Sequence, residues 1–185
     1  DLLIAALGKT AAGGDDRVYD LAVQDDGKII AAGYATGTSA DFAMARYNPN
    51  GSPDTTFGTD GKQTTDFAGS DDTIYSVELQ ADDRIVAAGY NDNATNDNFA
   101  LARYSDSGML DNSFDTDGRA VTNLAGGDDS AYGLALLGDG RLVAAGTGYL
   151  NKSDFGAVRY NADGSLDASF AADGILLSDL YGTVD

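Results

Sequence analysis

Arginine and aspartate recur in this chain at a spacing that suits an internal ion pair. Arg46 is followed eight residues later by Asp54, Arg103 by Asp111, and Arg159 by Asp167 at the same distance. Each arginine stands two residues after a member of an apolar run (Met44, Leu101, Ala157), so in an extended strand it shares that residue's face. A guanidinium turned inward needs a carboxylate. The expectation is one structural pair in each of three places: Arg46–Asp54, Arg103–Asp111 and Arg159–Asp167. Anion binding is the competing use of these arginines.

Between each arginine and its aspartate lies a turn with oxygen side chains around a glycine: Asn48, Asn50 and Asp54 in the first copy, Asn161, Asp163 and Asp167 in the third. Short calcium loops share this spacing, because Ca²⁺ takes roughly six to eight hard oxygen ligands. The second copy has serines at both leading positions, and no copy carries the terminal glutamate of an EF-hand. A hairpin turn held by Asx hydrogen bonds explains the same letters and is the preferred reading. Calcium is the one cofactor the sequence offers, as the alternative.

The acidic pairs Asp15-Asp16, Asp71-Asp72 and Asp128-Asp129 each follow a glycine-rich bend. Paired carboxylates serve acid–base catalysis in glycosidases. Appearing once per copy, however, they fit a turn or latch better, since an active site breaks the symmetry of a repeat. Histidine and cysteine are absent, which removes the commonest general base, thiolate zinc sites and cysteine nucleophiles. No catalytic residue is assigned, and an enzyme is not expected. Asn93-Ala94-Thr95 and Asn151-Lys152-Ser153 are formal glycosylation sequons, a weak signal.

These constellations sit on a threefold repeat. Ala31-Ala32-Gly33-Tyr34 returns as Ala87-Ala88-Gly89-Tyr90 and as Ala144-Ala145-Gly146, at offsets of 56 and 57 residues. One supersecondary unit stacked on copies of itself is implied. Each copy reads as four strands. Tyr19 to Gln24, Tyr75 to Gln80 and Tyr132 to Leu136 alternate with the period of a half-buried strand. A tight turn follows, with Asp-Gly as its signal and positive φ expected at both central residues. The next strand, from Ile29, Ile85 or Leu142, does not alternate and is expected to be buried on both faces. Its Ala-Ala-Gly suggests that neighbouring sheets approach closely there. Strands ending in Arg-Tyr come third, and segments from Lys62, Arg119 and Ile175 come fourth.

Four short antiparallel strands per period predict an all-β protein of propeller type: three four-stranded antiparallel blades plus an extra terminal strand. As one repeat domain over 1–185, the blades run about 1–60, 61–117 and 118–173, with a terminal strand over 174–185. No helical periodicity stands out.

The order Gly-Gly-Asp-Asp, Asp-Gly-Lys-Ile, Ala-Ala-Gly-Tyr, Asp-Phe-Ala-x-Ala-Arg-Tyr-Asn, Gly-Ser-x-Asp-x-x-Phe resembles the delta-60 repeat. It covers Asp15 to Gly174. The resemblance implies a β-propeller from large secreted or surface-attached bacterial proteins, in an adhesive or scaffolding setting.

Thirty acidic residues against eleven basic ones give a net charge of −19. That argues against nucleic acid or an anionic membrane surface as partner. No run is long and apolar enough to span a bilayer, so membrane insertion is not expected. Opening on Asp1 rather than Met suggests a removed leader and an exported protein.

Propellers usually close with four or more blades. The apolar segments at Leu2, Leu3, Ile4 and Leu7, and at Ile175, Leu176, Leu177 and Leu180, look like strands in search of a sheet. Pairing between copies is expected to satisfy them, as a homo-oligomer or a filament. The function read from the sequence is therefore an extracellular or cell-surface structural, adhesive repeat protein that self-assembles. The alternative is a propeller module for carbohydrate or another surface ligand, calcium-assisted, using Tyr90, Tyr149 and Tyr181.

Overall fold

The computed structural model describes residues 14–67, 69–149 and 152–179. Each repeat folds into one sheet. The first holds β1 (Asp16–Val23), β2 (Ile29–Thr36), β3 (Ala40–Tyr47) and β4 (Lys62–Thr65). The second holds β5 (Asp72–Leu79), β6 (Ile85–Asp92), β7 (Asp97–Tyr104) and β8 (Arg119–Thr122). The third holds β9 (Ser130–Leu136), β10 (Leu142–Tyr149), β11 (Ser153–Tyr160) and β12 (Ile175–Ser178). All three are antiparallel meanders in chain order, with no strand borrowed from another repeat. They are the three blades of an all-β fold.

The expected extra terminal strand is not extra. Ile175–Ser178 pairs with β11 and closes the third sheet, just as β4 and β8 close theirs. The sheets accordingly run 16–65, 72–122 and 130–178.

Blades stack face to face around their first strands, with β5 against β1 and β9 against β5. The core between the first and second sheets joins Ile30, Ala32, Phe42, Met44 and Phe57 to Ile74, Ile85, Ala87, Ala100, Ala102 and Tyr104. Between the second and third, Val86, Ala88, Phe99, Leu101 and Phe114 meet Ala131, Leu134, Leu142, Ala144, Val158 and Tyr160. In the middle blade, alternate β6 residues thus enter opposite cores, which is why that strand shows no polar face.

The glycine of Ala-Ala-Gly has a different job from the one its neighbours suggest. Ala32, Ala87, Ala88 and Ala144 face adjoining sheets, whereas Gly33, Gly89 and Gly146 face a bulge in the first strand of their own sheet. A Cβ there would lie 1.9, 1.8 and 1.9 Å from the carbonyl oxygens of Arg17, Thr73 and Ser130. The first turn also differs from expectation. Only Gly27, Asp83 and Gly140 have positive φ, and Gly27 N–H donates to the Gln24 carbonyl. That is a type I turn followed by a left-handed residue, not a turn left-handed at both centres.

A buried tyrosine–threonine hydrogen bond recurs among those that tie each later blade to the one before it. Tyr104 Oη donates to Thr65 Oγ1 at 2.9 Å, and Tyr160 Oη to Thr122 Oγ1 at 2.8 Å, both buried. Tyr160→Phe leaves the Thr122 hydroxyl buried without its partner. It is expected to cost about 1–3 kcal/mol, read as a lower urea midpoint at unchanged slope.

Candidate functional site

The three arginine–aspartate pairs form, and they work between blades as well as within them. Arg46 Nε donates to Asp54 Oδ2 at 2.8 Å, Arg103 Nε to Asp111 at 2.8 Å, and Arg159 Nε to Asp167 at 2.7 Å. The aspartate's other oxygen accepts the hydroxyl and N–H of the residue two further on, Thr56, Ser113 or Ser169. The Thr56 hydroxyl and N–H, with the Arg46 guanidinium, hold Asp54 down to about 2 against the opposing effect of burial. Asp167 is held below the usual carboxylate range in the same way.

Two partners of this latch escaped the sequence reading. The guanidiniums lie over the rings of Phe57, Phe114 and Phe170, at 4.8, 4.8 and 4.9 Å to the centroids. A second cation from the first turn (Lys28, Arg84 or Arg141) also reaches the aspartate, at 3.6, 3.0 and 2.9 Å. The signal was present in both cases, since these residues recur in phase with the arginines. The outer end of each guanidinium then faces the next blade. Arg46 Nη1 donates to the Asp106 carbonyl at 2.6 Å, and Arg103 Nη1 to the Ala162 carbonyl at 2.6 Å. Among the described residues no carbonyl does this for Arg159.

In the glycine turns, Asn50 Oδ1 accepts from Ser52 N–H and Oγ, and Asp163 Oδ1 from Ser165 N–H and Oγ. Asn48 and Asn161 turn their amide N–H groups inward, to a serine Oγ and a carbonyl. Asp54 and Asp167 belong to the ion pairs. These atoms are arranged as Asx turns, and the turns of the second and third blades press a carbonyl toward the preceding blade: Gly58 N–H donates to Ser107 O, and Asp115 N–H to Asp163 O. The acidic pairs act as latches at the blade junctions. Asp71 accepts Ala40 N–H and Asp72 accepts Phe67 N–H; Asp128 and Asp129 do the same for Asp97 and Leu124.

The family model described as domain of unknown function (DUF5122) beta-propeller matches residues 24–57, 80–114 and 137–170. The chain belongs to this family. Each matched copy ends on the phenylalanine beneath the guanidinium, so the latch is held within the DUF5122 unit. Beyond it, no curated protein and no solved structure matches.

Among the described residues, the DUF5122 blades leave an apolar surface open on the third sheet. Phe42, Met44 and Phe57 of the first blade, and Phe99, Leu101 and Phe114 of the second, are all buried under the following blade. Their counterparts in the third are Phe155, Ala157 and Phe170: Phe155 is 46% exposed beside Leu176 of β12 at 37%, Phe170 is half-buried, and Ala157 stays buried. Of the residues expected to pair between copies, Ile175 packs toward the second blade, Leu176 lies on the open face, and Leu177 approaches Gly148 within the sheet. Leu2, Leu3, Ile4, Leu7 and Leu180 lie outside the described residues.

A second surface is aromatic. Tyr19, Tyr75 and Tyr132, one from each first strand, have ring centroids 5.0 Å apart in succession. Tyr19, Tyr75 and Tyr90 join Tyr34 in lining a cleft of about 400 Å³ with Asp15 and Asp71. Tyr149 stands apart, its ring beside Gly127, and Tyr181 lies outside the described residues.

Proposed function

We propose that this chain is a structural repeat module of the delta-60 type, working outside the cell and joining copies of itself through its terminal blades. The observation that carries this is the open face of the third sheet, apolar where the same face of the first two is buried. What complements it stands at the other end of the array. Tyr47 occupies the position of Tyr104 and Tyr160, and its hydroxyl is buried without a partner among the described residues. Ser178 occupies the position of Thr65 and Thr122, whose hydroxyls accept those tyrosines. The Pro49 carbonyl corresponds to those of Asp106 and Ala162, the ones that Arg46 and Arg103 grip. Ala31, Ala43 and Ala45 of that first-blade face are buried in the single chain, so a third-blade face reaches it by displacing what covers them; the contact is then head-to-tail, which builds a ring if it closes and a filament if it does not. No catalysis is assigned, and at a net charge of −19 nucleic acid is not proposed as a partner.

Sedimentation velocity with negative-stain microscopy tests this on the wild type and on Leu176→Asp, whose exposed site lets the blade fold. Concentration-dependent rings or filaments, lost in the variant, are expected. A wild type that stays monomeric throughout sinks the proposal. A second reading, glycan binding, draws on the tyrosine cleft, because sugar rings stack on aromatic faces.

A further inference from the structure

One cluster at the first blade junction shares a single residue, Asp72, with the latches, which use only one of its two oxygens. Asp41 on β3, Asp66 just after β4 and Asp72 at the start of β5 bring carboxylate oxygens within 4.8 Å of one another. Asp72 is fully buried. Its Oδ2 accepts Phe67 N–H at 2.8 Å, while its Oδ1 is buried with no hydrogen-bond partner among the described residues. Asp41 accepts only the Ser39 hydroxyl, at 3.0 Å, and Asp66 the Gly69 N–H, at 2.5 Å. Among the described residues none of the three forms an ion pair. Arg119 gives Nη1 to the Asp66 backbone carbonyl and pairs with Asp117.

Three carboxylates this close, one of them dry, repel one another unless a cation sits among them. Burial first, then the charges of Asp66, Asp41 and Asp71, pushes Asp72 up to about 7. Burial likewise raises Asp41, with Asp66 and Asp71 adding to it. Opposite Asp72 in the β5–β6 register stands Asn91, whose Oδ1 is also buried and unpartnered among the described residues.

The second junction supplies the contrast. There Asp129 holds the place of Asp72, but Asn98 and Asn123 replace Asp41 and Asp66. Gly126 N–H donates to Asn123 at 2.6 Å as Gly69 does to Asp66, so the backbone is alike. The remaining Asp129 oxygen is taken by Tyr149 N–H at 2.9 Å. The fold therefore does not require three charges at a junction. The triple-aspartate version breaks the symmetry of the repeat, as a functional site does and a structural device does not.

We propose that Asp41, Asp66 and Asp72 form a divalent-cation site, calcium by chemistry, between the first and second blades. An all-oxygen, all-carboxylate donor set selects a hard cation. Calcium tolerates the irregular geometry that magnesium resists, and the exposed side of Asp66 admits the waters that complete its shell. The site is separate from the turns around Asn50 and Asp163 and does not depend on how the chain assembles.

The test is calorimetric titration with CaCl₂ of the wild type and of Asp41→Asn/Asp66→Asn, in about 0.15 M NaCl to screen loose binding to the acidic surface. The double variant gives the first junction the residues of the second, which this fold already accommodates. The wild type is expected to bind one ion saturably, with Kd at about 10⁻⁴–10⁻³ M, and the variant at least tenfold more weakly. The wild-type melting temperature is expected to rise by about 5–10 °C at a hundredfold excess over its Kd, and that of the variant by no more than about half as much at the same calcium concentration. Should the double variant fold poorly, Asp66→Asn alone, at the exposed ligand, is read in the same way. Equal binding and equal melting shifts in wild type and variant overturn the site. So does a wild type indifferent to calcium, which would mean that Asp72 carries a proton instead.

Discussion

Gly89→Ala is expected to destabilise the protein by more than about 3 kcal/mol, beyond the usual range for overpacking a core. The added Cβ would sit 1.8 Å from the Thr73 carbonyl oxygen, 2.8 Å from its carbon and 3.0 Å from the Ile74 Cα. All three are backbone atoms of β5 at its bulge, so no rotamer change relieves the clash. The register shift between Ile74 and Ser76 would have to be lost, and a one-residue slip turns every later side chain of β5 to the wrong face. Ile74 and Val77, three residues apart, share the core with the first blade only because the bulge lies between them, so its loss would turn one of the two out of that core. Gly138→Ala is the control. Nothing lies within 4 Å of its added Cβ and its φ is not positive, so its cost is expected within about 0.5 kcal/mol. Urea unfolding of both reads the difference. If Gly89→Ala lies within about 1 kcal/mol of wild type, the bulge is not what the glycine serves.

Asp54→Ala is expected to cost about 3 kcal/mol, the lower end of the range for orphaning a buried charge. The Arg46 side chain is 3% exposed and that of Asp54 6%, so water does not replace the lost carboxylate. Asp106, at 2.7 Å from Arg46 Nη1 but mostly exposed, softens the loss without cancelling it. Removing both partners, as in Arg46→Met/Asp54→Ala, is expected to recover part of the loss, because an apolar side chain can rest on Phe57 where the guanidinium did. Recovery stays partial, since the bond to the Asp106 carbonyl in the second blade goes with the arginine. The pair also sets an acid limit. Asp54 falls from the ordinary 3.8 to about 2 in the folded chain. Its contribution is therefore complete above the unfolded value and disappears as pH drops from about 4 through about 2. Across that window Asp54→Ala is expected to lose less stability than the wild type does. Parallel loss in the two proteins would remove Asp54 from the account of acid unfolding.

The arginine–aspartate pairs were legible because both partners lie in one copy at a fixed spacing, repeated three times. The blades were legible because strand period and turn residues are local. Register is not local. Whether Gly89 meets a neighbouring sheet or a bulge in its own depends on how β5 and β6 pair, which no spacing along the chain encodes. The segment from Ile175 carried two readings, fourth strand of its repeat and extra terminal strand, and the pairing with β11 bears out the first and removes the second. The Asp41, Asp66 and Asp72 cluster was the hardest to see. Its members come from three segments and two sheets, and its counterpart at the second junction is written with asparagine, so the repeat gives no matching acidic pattern. Only the pair Asp71-Asp72 drew notice, as a latch, and that describes one oxygen of Asp72 but not the other.

Each sheet is completed by its own stretch of chain, with no strand passed from one repeat to the next. No strand ladder among the described residues crosses from one sheet to the next, so what couples one blade to its neighbour is the stacking between them. The energetics are then those of a one-dimensional array, a sum of unit stabilities and nearest-neighbour couplings. An array of this kind can fold from either unit outward, and gene duplication can lengthen it by whole units without redesigning a strand. A propeller ring closed by a strand shared between its two ends lacks that freedom, because its circumference is set by the closing strand. Here the number of blades is a quantity evolution can change in single steps.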